Sequence, residues 1–311
     1  MTLAPETRME TGYAHPDYAM ALREFGRPRH LIQSGGWILE REIPGKDARD
    51  AMGCYPIFSC RDWSLLKSDL EAADDNLVSL VLVADPFGNF TKDILCDTFK
   101  DLVAPFKEHF VADLRQPLMK FADSHHQRNA RKALKSIEVE CVARPEDLLN
   151  EWNALYSNLI GRHSIKGIAT FSLESFARQL RVPGITAFRA TQGGTTLGIN
   201  LWYVRGDVGY YHLGAYSEEG YRLRASFALF WQAIEYFAAT GLHFLDLGAG
   251  AGAANDGSDG LTRFKRGWTN GARTAYLCGR IFDHEKYRRL AEAKGVMEGD
   301  YFPAYRKGEF D

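Results

Sequence analysis

Apolar and polar residues in the second half of the chain follow a pattern that predicts three consecutive strands. Runs rich in β-branched and aromatic residues extend over 185–190, 197–204 and 208–215. The turn residues Arg205, Gly206 and Asp207 separate the last two runs. Because strands joined by so short a turn are antiparallel, the sequence predicts an antiparallel meander.

A long helix is predicted directly after this meander. Large apolar residues recur there at a spacing of about 3.6 residues, at Leu223, Phe227, Phe230, Ile234 and Phe237. Gly241 is a typical helix end, and further strands are expected over 244–247 and 273–281, with a last helix from about 283 to 294. The long helix should therefore cross over the sheet to reach a new strand.

The first half of the chain predicts alternating strands and helices. Strands are expected over 37–43 and 77–83, and helical spacing is seen at Phe99, Leu102, Phe106 and Phe110. A polar, basic connector over 116–136 precedes a helix that should begin at Pro145 and end at Gly161. The pattern predicts an α/β protein with a mixed sheet, divided into an N-terminal unit over 1–135 and a C-terminal unit over 136–311.

Composition narrows the class of protein further. The chain has 311 residues, 45% of them hydrophobic, and a formal net charge of -2, so no overall field would hold DNA or an anionic membrane. Its five cysteines are scattered and its nine histidines are not clustered like metal ligands, so we expect neither a disulfide framework nor a metal site. No signal peptide or membrane span is evident, and a cytoplasmic location is expected.

The glycine-rich run after residue 243 suggests one alternative function. Asp246 is followed by glycines at 248, 250 and 252, as in the first motif of S-adenosylmethionine-dependent methyltransferases. Such sites need a helix directly after the glycines and an acidic residue at the end of a second strand. The polar residues 255–260 disfavour a helix there, so a loop beside a site is the preferred interpretation.

Three stretches between Arg128 and Phe282 carry a resemblance to a known family. They are the connector 127–135, the helix and strand over 225–246, and above all the segment from Gly260 to Trp268. The last segment is similar to the Gly-Leu-x-x-Phe-Lys-x-x-Phe signature of the Fem peptidoglycan aminoacyltransferases, with Trp268 in the place of an aromatic residue. The chain thus resembles the Fem family and its relatives in the GNAT superfamily.

The resemblance implies two GNAT-like domains side by side, with central strands that splay apart to admit an acyl donor. It also implies an enzyme that joins an acyl or aminoacyl group to an amine of a cell-wall or polysaccharide precursor. The donor would be acyl-coenzyme A or aminoacyl-tRNA, bound as a co-substrate rather than as a tight cofactor. A non-catalytic module that binds a nucleotide-sugar or a glycan is the second hypothesis.

Amide formation places negative charge on a carbonyl oxygen while the attacking amine loses a proton. The resemblance implies that Lys265 contacts the acyl-donor end, where a cation stabilises the oxyanion, and that Phe264 orders it and excludes water. A surface lysine after a core phenylalanine is the alternative. Asp246 ends a largely apolar run, so its carboxylate should either bind or deprotonate the amine or cap the following loop.

Further residues are candidates for substrate binding. Alternation places Tyr211 on the opposite face of its strand from His212, and Trp37 is a candidate for an acceptor cleft. Positive charges lie one helical turn apart along one face of the connector, which suits phosphates as well as a solvated surface. Two more arginines precede the long helix, without the glycine spacing of a coenzyme pyrophosphate loop. These charged candidates are Arg128, Arg131, Lys132, Lys135, Arg222 and Arg224.

Overall fold

The computed structural model describes residues 10–73, 77–250, 259–296 and 301–309, and its central feature is one mixed sheet of 11 strands. The strands stand in the order β1-β2-β3-β4-β11-β5-β10-β9-β8-β7-β6. They are β1 Arg27–Leu31, β2 Gly36–Glu42, β3 Arg49–Gly53, β4 Leu77–Val83, β5 Leu102–Asp113, β6 Glu138–Val142, β7 Ile185–Gln192, β8 Thr195–Arg205, β9 Val208–Tyr216, β10 Phe244–Asp246 and β11 Gly271–Ile281.

Helices cover both faces of this sheet. They are α1 Pro16–Ala21, α2 Leu66–Ala72, α3 Lys92–Thr98, α4 Leu118–Phe121, α5 Ser124–Ala133, α6 Leu149–His163, α7 Leu173–Gln179, α8 Glu218–Leu223, α9 Ala225–Ala239, α10 Gly260–Arg266 and α11 His284–Lys294. In the described ranges, none of them has both the length and the hydrophobicity that crossing a bilayer would require.

The predicted meander and crossover are confirmed. Strands β7, β8 and β9 are successive antiparallel neighbours, and α9 leads from β9 to β10, which pairs with β9 in parallel. The mixed α/β class is therefore confirmed. The strands predicted over 37–43, 77–83 and 273–281 and the helix at 283–294 are also present within one or two residues.

Strand β5 joins the two halves of the sheet. It pairs antiparallel with β10 on one side and with β11 on the other, and β11 in turn pairs with β4. The last strand of the sequence thus lies among strands of the first half. The unit boundary at 135/136 stays a prediction.

The helix predicted from Phe99 to Phe110 is wrong, because residues 102–113 form β5. The apolar spacing there resembles that of a helix, but Pro105 lacks the N–H that a helix interior needs, and two strands from distant parts of the chain supply backbone partners. Two further differences concern helices. The α6 helix runs past Gly161 and ends at Ser164, which has a left-handed backbone, and α10 is an additional helix that the sequence did not predict.

Two apolar clusters pack on opposite faces of the second half of the sheet. One contains the buried side chains of α6, α7 and one face of β8 and β9, including Tyr203 and Tyr210. The other contains those of α5 and α9 with Leu245, Leu247 and Trp268. Since side chains alternate between faces along a strand, neighbouring residues of β9 and β10 belong to different clusters.

The short strand β10 leaves an opening in the sheet. It pairs with β9 only through Phe244–Asp246 against Val208–Tyr210, although β9 continues to Tyr216. Backbone hydrogen bonds between Phe110 and residues 247 and 248 extend the contact with β5 a little further. Beyond that point, no described strand lies between β5 and β9, as expected for splayed central strands.

Candidate active site

The Lys265 side chain lies inside the protein, beside the end of β10. It is only 7% exposed, although it belongs to a short helix at the surface. Its Nζ donates a hydrogen bond to the Ala249 carbonyl oxygen at 2.6 Å and lies 5.7 Å from the centroid of the Tyr211 ring. The structure therefore contradicts the interpretation of Lys265 as a surface lysine.

Burial sets the charge state of this ammonium group. Loss of hydration is the largest effect on the pKa of Lys265, which is lowered from 10.5 to about 8. The negative charges of Asp246 and Asp259 partly oppose this shift, and nearby Lys107 makes a still smaller contribution that lowers the pKa. Lys265 is therefore a cation at neutral pH, and it loses its charge at a much lower pH than an exposed lysine.

Gly248 makes the close approach of Lys265 possible. Its φ of +69° is a left-handed conformation that residues with a side chain rarely adopt, and a Cβ added there would lie 3.3 Å from the Lys265 Nζ. The backbone from Asp246 to Ala249 can therefore turn around the ammonium group. Gly248, the first glycine of the run, therefore shapes this turn.

Asp246 has a histidine partner that the sequence analysis missed. The carboxylate is 2% exposed, and its two oxygens lie 3.0 and 2.9 Å from His109 Nδ1 on β5. The Gly248 N–H also donates to Asp246 Oδ1 at 2.7 Å. Asp246 thus caps the following loop, as one interpretation predicted, and it also holds a histidine.

The His109–Asp246 pair and Lys265 lie on opposite faces of the sheet, next to the opening beyond β10. Asp246 pairs in register with Tyr210 of the first apolar cluster, whereas Lys265 lies over Tyr211, which packs against the second. The influence of Asp246 on the pKa of Lys265 shows that the two charges sense each other across this edge. A group entering between β5 and β9 would meet both.

Aromatic packing holds the α10 helix in place. The Phe264 ring is 5.1 Å from the Phe227 ring and 5.0 Å from the Phe230 ring, and Trp268 is fully buried in the same cluster. The His126 Nε2 lies 2.9 Å from the Phe264 carbonyl oxygen. These contacts fix α10 against α9 and α5, so the backbone that carries Lys265 is positioned by packing.

The basic face of α5 is solvent-exposed. Arg128, Arg131 and Lys132 project away from the buried Ala130 and Ala133, as the helical spacing predicted, and Lys135 follows just after the helix. The α5 helix contacts α10 through His126 on its buried side, so the basic residues lie on the opposite side of α5. Its predicted binding of phosphates stays a prediction.

The two arginines before α9 differ in their surroundings. Arg222 is exposed and forms an ion pair with Glu219. Arg224 has a left-handed backbone with φ of 63°, and its guanidinium donates to Asn129 Oδ1 on α5 at 2.5 Å. Arg224 therefore connects the start of α9 to the basic helix.

His212 and Trp37 lie apart from Lys265. His212 is buried on the face opposite Tyr211, as alternation predicted, and its ring nitrogens are bonded to Tyr13 and Gln179. Burial lowers the pKa of His212 to about 3, so the ring stays neutral and is poorly suited to relay protons. Trp37 stacks on His30 at the far end of the sheet, which leaves its acceptor role a prediction.

The fold does not fit the methyltransferase alternative. The strand that leads into the glycine run has a parallel neighbour on one side and an antiparallel neighbour on the other. A doubly wound parallel sheet is required for the dinucleotide-type site. Residues 251–258, which include part of the glycine run, lie outside the described ranges.

Comparison with known proteins gives one family match and several structures of similar fold. Residues 123–266 match the family described as "Acetyltransferase (GNAT) domain". No curated protein gave a significant sequence match. Among solved structures, FemX is similar with a TM-score of 0.66 and 13% identity, covering 88% of this chain and 93% of its own.

Two further structures share the fold at low sequence identity. L-PGS from Bacillus licheniformis has a TM-score of 0.58 and 17% identity, covering 87% of this chain and 93% of its own. The C-terminal DUF2156 domain of a lysylphosphatidylglycerol synthetase homologue from Agrobacterium fabrum has a TM-score of 0.58 and 13% identity, covering 86% of this chain and 88% of its own. Residues 123–266 are therefore similar to GNAT acetyltransferase domains, and the chain shares its overall fold with FemX.

Proposed function

We propose that the protein transfers an acyl or aminoacyl group from an activated ester or thioester to an amine. The observation that carries this proposal is the buried ammonium group of Lys265 at the opening of the sheet, opposite the His109–Asp246 pair. Burying a charge is costly unless the charge is paired and hydrogen-bonded, so a buried lysine ammonium is uncommon in a protein interior. Here one cation and one potential base face the same entrance.

Lys265 is suited to stabilise the oxyanion. As the amine attacks the donor carbonyl carbon, the carbonyl oxygen becomes negatively charged. An ammonium group has three N–H donors, and the Ala249 carbonyl occupies one of them. Within the described ranges no other hydrogen-bond acceptor is bonded to the ammonium group, so its other two N–H groups can donate to the oxygen of the acyl donor, and the low local dielectric strengthens that interaction.

His109 is suited to take the proton that the amine loses. In the neutral tautomer whose Nδ1–H donates to the Asp246 carboxylate, the His109 Nε2 holds a lone pair. When the C–N bond forms, Nε2 would accept the amine proton and Asp246 would stabilise the resulting imidazolium. The imidazolium would then return the proton to the departing oxygen or sulfur as the bond between carbonyl carbon and leaving group breaks.

The surroundings favour a donor with phosphates. The α5 helix contacts α10 through His126 and α9 through Arg224, and its solvent-exposed side carries the basic residues. However, the α8 helix occupies the place of a glycine-rich pyrophosphate loop, and its Gly220 packs tightly on the Leu197 carbonyl. This arrangement supports aminoacyl-tRNA over acyl-coenzyme A as the donor. We propose an amine of a cell-wall or polysaccharide precursor as the acceptor, as in the family resemblance.

A transfer assay tests the proposal. The protein is incubated with aminoacyl-tRNA or acyl-coenzyme A and amine-bearing cell-wall precursors, and the amide product is detected by mass spectrometry. We expect product from the wild type and from Lys294→Met, a matched substitution on an exposed helix, but much less from Lys265→Met. Absence of product in every combination, together with a Tm that acyl donors leave unchanged and a nucleotide-sugar raises, would favour the non-catalytic module instead.

A further inference from the structure

A cavity of about 500 Å³ lies between the start of α5 and the end of α10, outside the proposed transfer site. Its lining includes Asp123, His125, His126, Arg263 and Arg266. None of these residues has a role in the transfer reaction described above. Their chemistry points to a second site.

Three of these side chains can converge on one metal ion. A carboxylate oxygen of Asp123 and one ring nitrogen from each of His125 and His126 lie within 4.8 Å of one another. The His126 Nδ1 and the Asp123 Oδ1 are 3.9 Å apart. Ligands bound at about 2.0–2.2 Å around a tetrahedral zinc ion are roughly 3.3 Å apart, so small movements of the exposed Asp123 and His125 side chains complete the geometry.

The hydrogen bonding of His126 favours a ligand role. Because Nε2 lies 2.9 Å from the Phe264 carbonyl oxygen, which only accepts, Nε2 must carry the hydrogen. The Nδ1 therefore holds a lone pair, and it is buried without a hydrogen-bond partner in the described structure. Histidine ligands of metals typically donate their other ring N–H to a carbonyl or carboxylate in this way.

The placement of the other groups agrees with this role. His125 is exposed and contacts Asn129, and its ring must turn from that amide to present a lone pair. Arg263 and Arg266 repel a cation, but both are exposed, so water and salt screen that repulsion.

We propose that Asp123, His125 and His126 bind a divalent transition-metal ion of the zinc type. The ion would lie where α5 and α10 meet, since the Asp123 N–H also donates to the Gly267 carbonyl at 2.8 Å. It would fix the orientation of the His126 ring, which bonds the Phe264 carbonyl of α10, without taking part in the chemistry. Its coordination would be completed by solvent from the cavity.

Zinc binding to the full chain tests this site. Chelator-treated protein is titrated with Zn²⁺ by calorimetry, and with Co²⁺ by visible absorption, which reports the coordinating ligands directly. We expect one tight equivalent and a rise in Tm with Zn²⁺. Asp123→Ser retains an N-cap oxygen for α5, and His126→Gln retains a donor for the Phe264 carbonyl. Both should lose binding at least tenfold, whereas His163→Ala, an exposed histidine at the end of α6, should not.

Two results would overturn the proposal. One is wild-type protein that binds no Zn²⁺, or variants at Asp123 and His126 that bind it unchanged. The other is a rise in Tm with inorganic phosphate, but not with Zn²⁺, that disappears in Arg266→Ala, because the cavity would then be an anion site. Circular dichroism confirms folding, and since the readout is metal binding, failure of the transfer reaction would not affect it.

Discussion

Replacing Lys265 by methionine should slow transfer by about 10²–10³-fold without weakening the fold. Methionine keeps a long apolar stem but removes the buried charge. The shift of the Lys265 pKa from 10.5 to about 8 corresponds to about 3 kcal/mol against the charged form in the folded state. Loss of the hydrogen bond to the Ala249 carbonyl offsets about 1–3 kcal/mol of this gain. At neutral pH the variant should therefore unfold with a free energy equal to or above that of the wild type.

The pH dependence of the unfolding free energy tests whether the Lys265 charge is buried. The folded-state pKa of Lys265 is lowered, so between about pH 8 and 10.5 the unfolded chain binds more protons than the folded one. Wild-type stability should consequently rise across that window, relative to Lys265→Met, by about 3 kcal/mol. Urea unfolding of both proteins at each pH measures the difference, with Lys294→Met as the control. A difference that stays constant with pH would show that the Lys265 ammonium is hydrated in the folded state.

The remaining predictions concern catalysis and the turn at Gly248. The transfer rate should fall as pH rises through about 8, because Lys265 loses its proton there, and a profile of kcat/KM against pH checks this. His109→Gln should lower kcat by about 10²–10⁴-fold with an unchanged Tm, as measured by steady-state kinetics and thermal unfolding, and a normal kcat would remove His109 from the reaction. Gly248→Ala and Gly241→Ala both replace a glycine with positive φ, so each should cost about 1 kcal/mol in urea unfolding. Only Gly248→Ala should also slow transfer, since its Cβ would crowd the Lys265 Nζ, and equal rates in the two variants would contradict that contact.

Local patterns predicted the second half of the chain well. The meander and α9 have clear periodicities, because each buries one continuous face and their connections are short. Alternation along β9 also placed Tyr211 and His212 on opposite faces. In such elements the neighbours that matter are close in sequence.

Long-range pairing accounts for what could not be predicted. β5 has the apolar spacing of a helix, and its strand conformation depends on β10 and β11, more than a hundred residues later. The partnership of His109 with Asp246 spans 137 residues and follows from that pairing alone. Lys265 was identified through the family motif, but the burial that lowers its pKa appears only once α10 has formed. Neither the contact between His109 and Asp246 nor the burial of Lys265 could be predicted from composition or spacing.

The central claim is that the Lys265 cation stabilises the transition state of acyl transfer. The most direct measurement compares donor affinity with the chemical step in wild type and Lys265→Met, by equilibrium binding and by single-turnover transfer. Loss of one oxyanion donor predicts a rate about 10²–10³-fold lower with donor Kd nearly unchanged. An unchanged single-turnover rate, or a loss confined to donor binding, would contradict the claim.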